Sequence, residues 1–362
     1  MSISLAAALR PSSLVAQIER IPVLGDARDE WRALALASGN IFATWEWAET
    51  WWRHFGHGRP LRLLACRGAD GRMLAILPLY SWRTKPLHVL RFLGHGPGDQ
   101  LGPIADAADL RAAQQALRYE LDSSGWSVFL GEQLPGGDGW AEALTAQPLA
   151  RTGAPVIRLR GRTWDEILQE RSSNFRQQVR RRERALTREH DVRLHLTKDA
   201  ETLPQHLHSL FTLHAERWGA GSDFLQAKAF HRDFAQQALA HGWLRLWIME
   251  VDGAPAAAWY GFRFAGVESY YQGGWGSRWA RSSVGSVLLA HTIREATQDG
   301  MREYRFLQGD ESYKYRFADE GKGLETVIRA RGLPGRAVVA AGLRLRGYAV
   351  GRRAISAMLG PD

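Results

Sequence analysis

Apolar residues recur at helical spacing in FATWEWAETWWRHF (42–55) and again in FLQAKAFHRDFAQQAL (224–239). Each is followed by a stretch that opens on LRL, runs apolar, turns on Asp-Gly and runs apolar again. These are LRLLACRGADGRMLAILPL (61–79) and LRLWIMEVDGAPAAAWYGF (244–262). Asp-Gly between two strand-like runs predicts a hairpin. Further on, LDSSGWSVFLGEQ (121–133) parallels TQDGMREYRFLQGDE (297–311): helix end, glycine, strand, then glycine and an acid. Four matching elements in one order predict two copies of an α/β unit. The boundary falls near 150–165, giving an N-terminal copy over 1–155, a second copy over 156–330 and a basic, helical tail over 331–362.

In the second copy, strands at about 244–251, 255–264 and 267–273 form a meander, with turns at Asp252-Gly253 and Ala265-Gly266. A loop then leads into a helix, for which Ser282 and Ser283 offer N-caps and Val287, Leu288, His291 and Ile293 an apolar face. A strand is expected at Tyr304–Leu307, running into FLQGDESYKYRF (306–317).

Length changes the picture little: 362 residues exceed a usual single core and agree with two domains. No apolar run reaches the ~18 residues of a membrane span. A single cysteine, Cys66, and a first stretch, MSISLAAALR, without a basic region lead us to expect a cytoplasmic protein. Charge is more telling. Residues 171–188 carry seven Arg against Glu183, and 331–362 carry six Arg against Asp362. Together these give +11 of a net +9, so the rest of the chain is −2. Charge gathered in this way points to phosphates, nucleic acid or a membrane surface at those places, or to solvated helix faces.

The meander, the loop with Gly285 at a helix start, that helix and the next strand resemble the order of GNAT acyltransferases. With the tandem copies, RSSNFRQQVRRRER, LHAERW and FLQGDESYKYRF, the chain resembles the FemAB-like and CelD-like branch over about residues 25–330. A segment G-D-E-x-Y-K-x-x-[WF] marks CelD-like proteins; here it is Gly309, Asp310, Glu311, Tyr313, Lys314 and Phe317. The resemblance implies an α/β fold of tandem GNAT-like domains, each a mixed, mostly antiparallel sheet flanked by helices. It also implies transfer of an acyl or aminoacyl group to an amine or hydroxyl, often in cell-envelope or polysaccharide biosynthesis. One departure stands out. The pyrophosphate loop Q/R-x-x-G-x-G/A appears as Ser282-Ser283-Val284-Gly285-Ser286-Val287, with Val287 where a small residue is expected.

Acyl transfer needs a held donor, a deprotonated acceptor and a stabilised oxyanion. Lys314 could supply the oxyanion partner and Asp310 the proton acceptor, with Gly309 allowing close approach; a surface Lys-Asp pair beside a turn would look the same in sequence. Ser283, Gly285 and Ser286 would hold acyl-CoA, acetyl-CoA first among donors, by the N-terminus of their helix. Arg176, Arg180 and Arg184 share one helical stripe in the Arg-rich 171–188 segment and suit phosphates. Tyr313, Arg217, Tyr271, Gln272 and Trp275 would contact a sugar-like or amine acceptor. A metal is not expected, since no Cys/His cluster has zinc spacing and His206 and His208 point to opposite helix faces. Cys66 reads as core. GHGPGDQLGP (94–103) is glycine-rich, but no helix follows it as in a P-loop. DNA is not expected; tRNA and peripheral membrane contact through the tail are open. Two other readings stand beside the acyltransferase: a FemX-type aminoacyl-tRNA-dependent transferase, and a non-catalytic GNAT pair binding an anionic partner.

Overall fold

The computed structural model describes residues 17–84, 87–123 and 125–344. Its strands are β1 (Gln17–Ile21), β2 (Leu61–Arg67), β3 (Met73–Thr84), β4 (Leu87–Phe92), β5 (Ile104–Ala105), β6 (Val128–Pro135), β7 (Gln147–Thr152), β8 (Val156–Arg158), β9 (Val192–Leu196), β10 (Leu244–Val251), β11 (Ala254–Phe264), β12 (Val267–Trp275), β13 (Glu303–Arg305) and β14 (Leu324–Ala330).

Two sheets form. The first has the order β1-β2-β3-β4-β6-β14-β7, with β5 against β3; the second runs β8-β13-β12-β11-β10-β9. Laid side by side, the sheets show the repeat. Strands β1 to β4 correspond to β9 to β12, each an antiparallel meander. A helix then crosses over to a parallel strand: Leu110–Ser123 leads to β6 beside β4, and Val284–Gln298 leads to β13 beside β12. Parallel neighbours need such a crossover. Both Asp-Gly turns expected from sequence lie between their paired strands.

The second copy does not keep all of its residues in its own sheet. Its sheet is finished by β13, and Leu324–Ala330, inside the segment expected to end at 330, inserts between β6 and β7 of the first. An antiparallel strand therefore follows the crossover strand in each sheet, β14 in the first and β8 in the second. Of the tail, Gly332–Arg344 is helical, and the remainder lies outside the described residues.

The units share one core. The helix Trp45–Phe55 starts where Thr44 accepts the Trp47 N–H, and its aromatic face turns inward. Trp47 packs edge-on against Phe42 at 4.8 Å, Phe230 at 4.9 Å and Phe234 at 4.6 Å between ring centroids. Phe230 and Phe234 belong to the helix Lys228–Ala240 of the second copy. Edge-to-face pairs of this kind contribute about 0.5–1.5 kcal/mol each beyond the area they bury. Many of the fifteen tryptophans are spent here and in the cores of the two units.

Candidate functional site

β12 and β13 stay paired through three residue pairs only, from Val267↔Glu303 to Ser269↔Arg305. Beyond them β12 runs on to Trp275 while the other chain leaves the sheet. A cavity of about 210 Å³ lies at this parting, lined by Tyr270, Gly274 and Trp275 of β12, by Ser283–Ser286 and by Arg217 and Tyr313. The crossover helix begins at its floor. Ser283 stands at the N-cap with φ 55, a left-handed backbone, and its side chain caps nothing, contrary to the cap expected of it. Its carbonyl instead accepts the N–H groups of Ser286 and Val287 at 2.9 and 3.2 Å. A non-glycine residue held left-handed stores strain, which is common at ligand sites. Gly285 lies against Trp275: a Cβ there would stand 3.0 Å from the Trp275 Cδ1.

A second cavity, about 320 Å³, adjoins the first and shares Tyr270 and Tyr313 with it. The two phenols line both cavities, and burial pushes the Tyr313 hydroxyl far above the usual phenol range. They form a neutral partition between the cavities. Trp218, Gln272, Gln308, Lys314 and Asp99 line the second cavity.

The strand expected over Tyr304–Leu307 ends at Arg305, and Leu307 has φ 56. The chain then turns through Gly309, at φ 131, into a single-turn helix, Ser312–Phe317. Lys314 sits on that turn and is 4% exposed, so the reading of a surface pair does not hold. Its Nζ donates to the Gln308 carbonyl at 2.6 Å and meets Glu311 Oε2 at 2.9 Å. An ammonium has three N–H groups, so one is left for a ligand. The Gln308 N–H faces the Asp99 carboxylate while its carbonyl takes the lysine, so one residue lies between the two. Burial raises Asp99 to about 7, with Lys314 and the Gln308 N–H pulling the other way and Glu311 adding to the rise. A carboxyl that titrates near neutrality beside a lysine in a cavity is suited to acid–base work.

Residues 173–315 match a family model described as Acetyltransferase (GNAT) domain. That stretch of the chain is similar to a GNAT acetyltransferase domain. FemX has the same fold as the described chain, at TM-score 0.64 and 13% identity over 89% of this chain and 99% of that one. The C-terminal domain (DUF2156) of a putative lysylphosphatidylglycerol synthetase from Agrobacterium fabrum follows at 0.55 and 7%, covering 89% and 97%. L-PGS from Bacillus licheniformis gives 0.54 and 12%, covering 88% and 96%. These likenesses concern the fold. No curated protein matches the sequence.

The two cavities bring together many, though not all, of the residues singled out in the sequence. Ser283, Gly285, Ser286, Trp275 and Arg217 line the first cavity, Gln272, Tyr271 and Lys314 the second, and Tyr313 both. Tyr271 is buried, and its hydroxyl donates to the Pro97 carbonyl at 2.6 Å, which ties the second copy to the loop that bears Asp99. Arg217 lies 4.5 Å from the Trp218 ring centre and 5.7 Å from that of Tyr313. Asp310 lies outside the lysine cavity. Its Oδ1 accepts the Gly153 N–H at 2.9 Å and the Tyr315 hydroxyl at 3.1 Å, and it lines a neighbouring groove with Arg151 and Thr152. The arginine stripe is likewise engaged elsewhere. Arg176 donates to the carbonyls of Gln169 and Arg171, Arg180 meets Asp165 at 3.2 Å, and Arg184 donates to the Arg180 carbonyl.

Asp99 is the residue that sequence reasoning missed. It lies in the glycine-rich GHGPGDQLGP stretch, set aside because no helix follows it. The available signal was a lone acid among glycines that take up left-handed backbone at Gly94, Gly96 and Gly102. Its distance in sequence from the lysine motif hid the pairing. His206, weighed as a metal ligand, bonds the Thr197 hydroxyl at 2.7 Å, and among the described residues no group of three metal-ligating side chains forms.

Proposed function

We propose that the chain is an N-acyltransferase that moves an acyl group from acyl-CoA, acetyl-CoA first among them, to an amine or hydroxyl of a sugar-like cell-envelope or polysaccharide precursor. The observation that carries this reading is the pair of adjoining cavities that share Tyr270 and Tyr313. One ends on the crossover-helix terminus and the other on Lys314 and Asp99. Donor and acceptor would enter from the two sides and meet at the phenols. The second copy supplies most of the site, and the first contributes Asp99.

In the reaction, the acceptor amine attacks the donor carbonyl carbon and a C–N bond forms. The carbonyl electron pair moves onto oxygen, where the remaining N–H of Lys314 stabilises it. The amine proton passes to the Asp99 carboxylate. The tetrahedral centre then collapses, the C–S bond breaks, and the thiolate leaves. The neutral Tyr270–Tyr313 pair keeps water and stray charge from the reacting centre. On the acceptor side, the half-exposed Trp218 with Gln272 suits a sugar ring: a flat apolar face beside a polar group.

A FemX-type aminoacyl-tRNA donor is the second reading. It is favoured by Val287 in the pyrophosphate loop and by the likeness in fold to FemX over 99% of that chain. Thermal shift with acetyl-, succinyl- and long-chain CoA thioesters separates the two. A rise in melting temperature with one of them supports the first reading. No rise with any, and a rise with aminoacyl-tRNA, supports the second. A chain that transfers nothing and binds only anionic polymers would be the non-catalytic pair. The site suits a cytoplasmic enzyme with small-molecule substrates, and the basic tail could bring it to a membrane surface.

A further inference from the structure

The Arg-rich helix Ser173–Glu189 spends most of its charge on the protein itself. Arg176 and Arg184 hold backbone carbonyls, Arg180 meets Asp165, and Arg188 meets Glu189. Its acid, Glu183, is taken by Arg294 through two bonds of 3.0 Å. Arg181 and Arg182 are the exceptions: among the described residues no carboxylate pairs with either, and while Arg181 is exposed, Arg182 is only partly so. Facing it is Arg316, from the Lys314 helix, which donates to the neutral side chain of Gln178 and stacks over Phe175 at 4.7 Å. Burial first, then Arg316 and Arg181, hold the Arg182 guanidinium below the usual range. Glu183 lies beside them but is taken by Arg294, so the two guanidiniums repel each other and an anion would ease the repulsion.

The place matters. Arg182 and Arg316 line a narrow cleft of about 30 Å³ together with the Arg294-paired Glu183, Ser286, Val287 and Tyr313. Ser286 and Tyr313 also line the donor cavity. The cleft is too small to swallow a phosphate, but Arg316 is exposed, so an anion would seat at the open mouth, beside the first turn of the crossover helix.

We propose that Arg182 and Arg316 form a phosphate clamp for the donor, replacing the close backbone approach that Val287 denies. The clamp rests on the acyl-transfer reading of the adjoining cavity. It moves the phosphate role from Arg176 and Arg180 to a different face of the same helix. Phosphate is the shared chemistry of both donor classes: the diphosphate or 3′-phosphate of coenzyme A, or the phosphodiesters at the 3′ end of an RNA.

The test uses the full chain and the variants Arg182→Gln and Arg316→Gln, with inorganic pyrophosphate as the first probe. Pyrophosphate is expected to raise the melting temperature of the native protein at low salt. Each variant should weaken that binding by about tenfold or more, as loss of a charge-assisted contact does. Without ligand, Arg182→Gln should melt no lower than the native protein, because a repulsion is removed; a merely structural role would lower it. Acetyl-CoA and a short RNA ending in CCA form the second arm. A shallow dependence of log K on log salt identifies the small donor, and a steep one, about −0.7 per phosphate neutralised, the RNA. Equal stabilisation of native and variant proteins by pyrophosphate, or none of either, overturns the clamp. The underlying reading is judged separately, by transfer from a phosphate-free acyl-pantetheine. Transfer by the native protein that is lost in Lys314→Ala keeps that reading standing even if the clamp fails.

Discussion

The ammonium of Lys314 occupies the space that a side chain on Gly309 would need. A Cβ at Gly309 would stand 2.5 Å from Nζ and closer still to the Glu311 carboxylate, on a backbone at φ 131. Glycine here serves the lysine directly. Gly309→Ala must therefore displace Lys314 or strain the turn. We expect transfer to fall on the order of 10²-fold, similar to loss of an oxyanion donor, with a lowered melting temperature. Transfer close to the native rate in Gly309→Ala would show that the lysine need not sit where it does.

Asp99 makes a prediction in pH with opposite signs for activity and stability. Burial raises its folded value from 3.8 to about 7. Its contribution to stability is therefore complete below pH 3.8 and is lost as pH rises through about 7, because the folded chain keeps a proton that the unfolded chain releases. Transfer requires the ionised form and should rise over the upper part of the same window. Asp99→Asn should lower transfer by about 10²-fold or more and flatten the pH dependence of both. Titration of kcat/KM and of denaturant midpoints from pH 4 to 9 checks both curves; an unchanged rate profile in Asp99→Asn would remove Asp99 from the chemistry.

The Tyr271 hydroxyl, 2.6 Å from the Pro97 carbonyl, braces the loop that carries Asp99. Tyr271→Phe leaves the ring in the shared core and removes one buried bond, a loss of about 1 kcal/mol in stability. Transfer should fall as well, more in kcat than in KM, because the general base loses its footing. A loss of stability with transfer unaltered would confine Tyr271 to packing.

For the arginine stripe the structure predicts an outcome unlike that of the sequence. Arg176 ties the helix start to the carbonyls of Gln169 and Arg171, so Arg176→Ala should cost about 1 kcal/mol or more with little change in donor KM. Arg180 makes an exposed pair with Asp165, and Arg180→Ala should move stability by under about 1 kcal/mol. A large rise in donor KM in either variant would return the stripe to the binding site.

Much of this was legible in the chain. The two Asp-Gly hairpins and the helices over 42–55 and 224–239 were legible, because turn chemistry and apolar period are local properties; the Gly-acid pairs do not end their strands, since Gly131-Glu132 lies inside β6 and β13 stops at Arg305. The lysine motif and the crossover-helix start could be found for the same reason. What could not be read was long-range. Nothing local tells Leu324–Ala330 to enter the first sheet, since an apolar strand suits either one. The burial of Lys314 depends on Gln308 and Glu311 folding back over it. Asp99 reaches the lysine because Tyr271 ties the loop that bears it to the second copy. The arginine stripe misled because 3.6-residue spacing gives a face but not what the face meets.

The central claim is that acyl transfer depends on Lys314 in the second cavity, which adjoins the first at Tyr270 and Tyr313. The most direct measurement follows isotopically labelled acetyl groups from acetyl-CoA into acceptors of a bacterial small-molecule extract, detected by mass spectrometry, with native protein and with Lys314→Ala. Because Lys314 is buried and bonded, the variant's fold is checked by circular dichroism and its donor binding by thermal shift. We expect labelled product with the native protein, and at least about 10²-fold less with a folded, donor-binding Lys314→Ala. Labelling by that variant at the native rate would contradict the account.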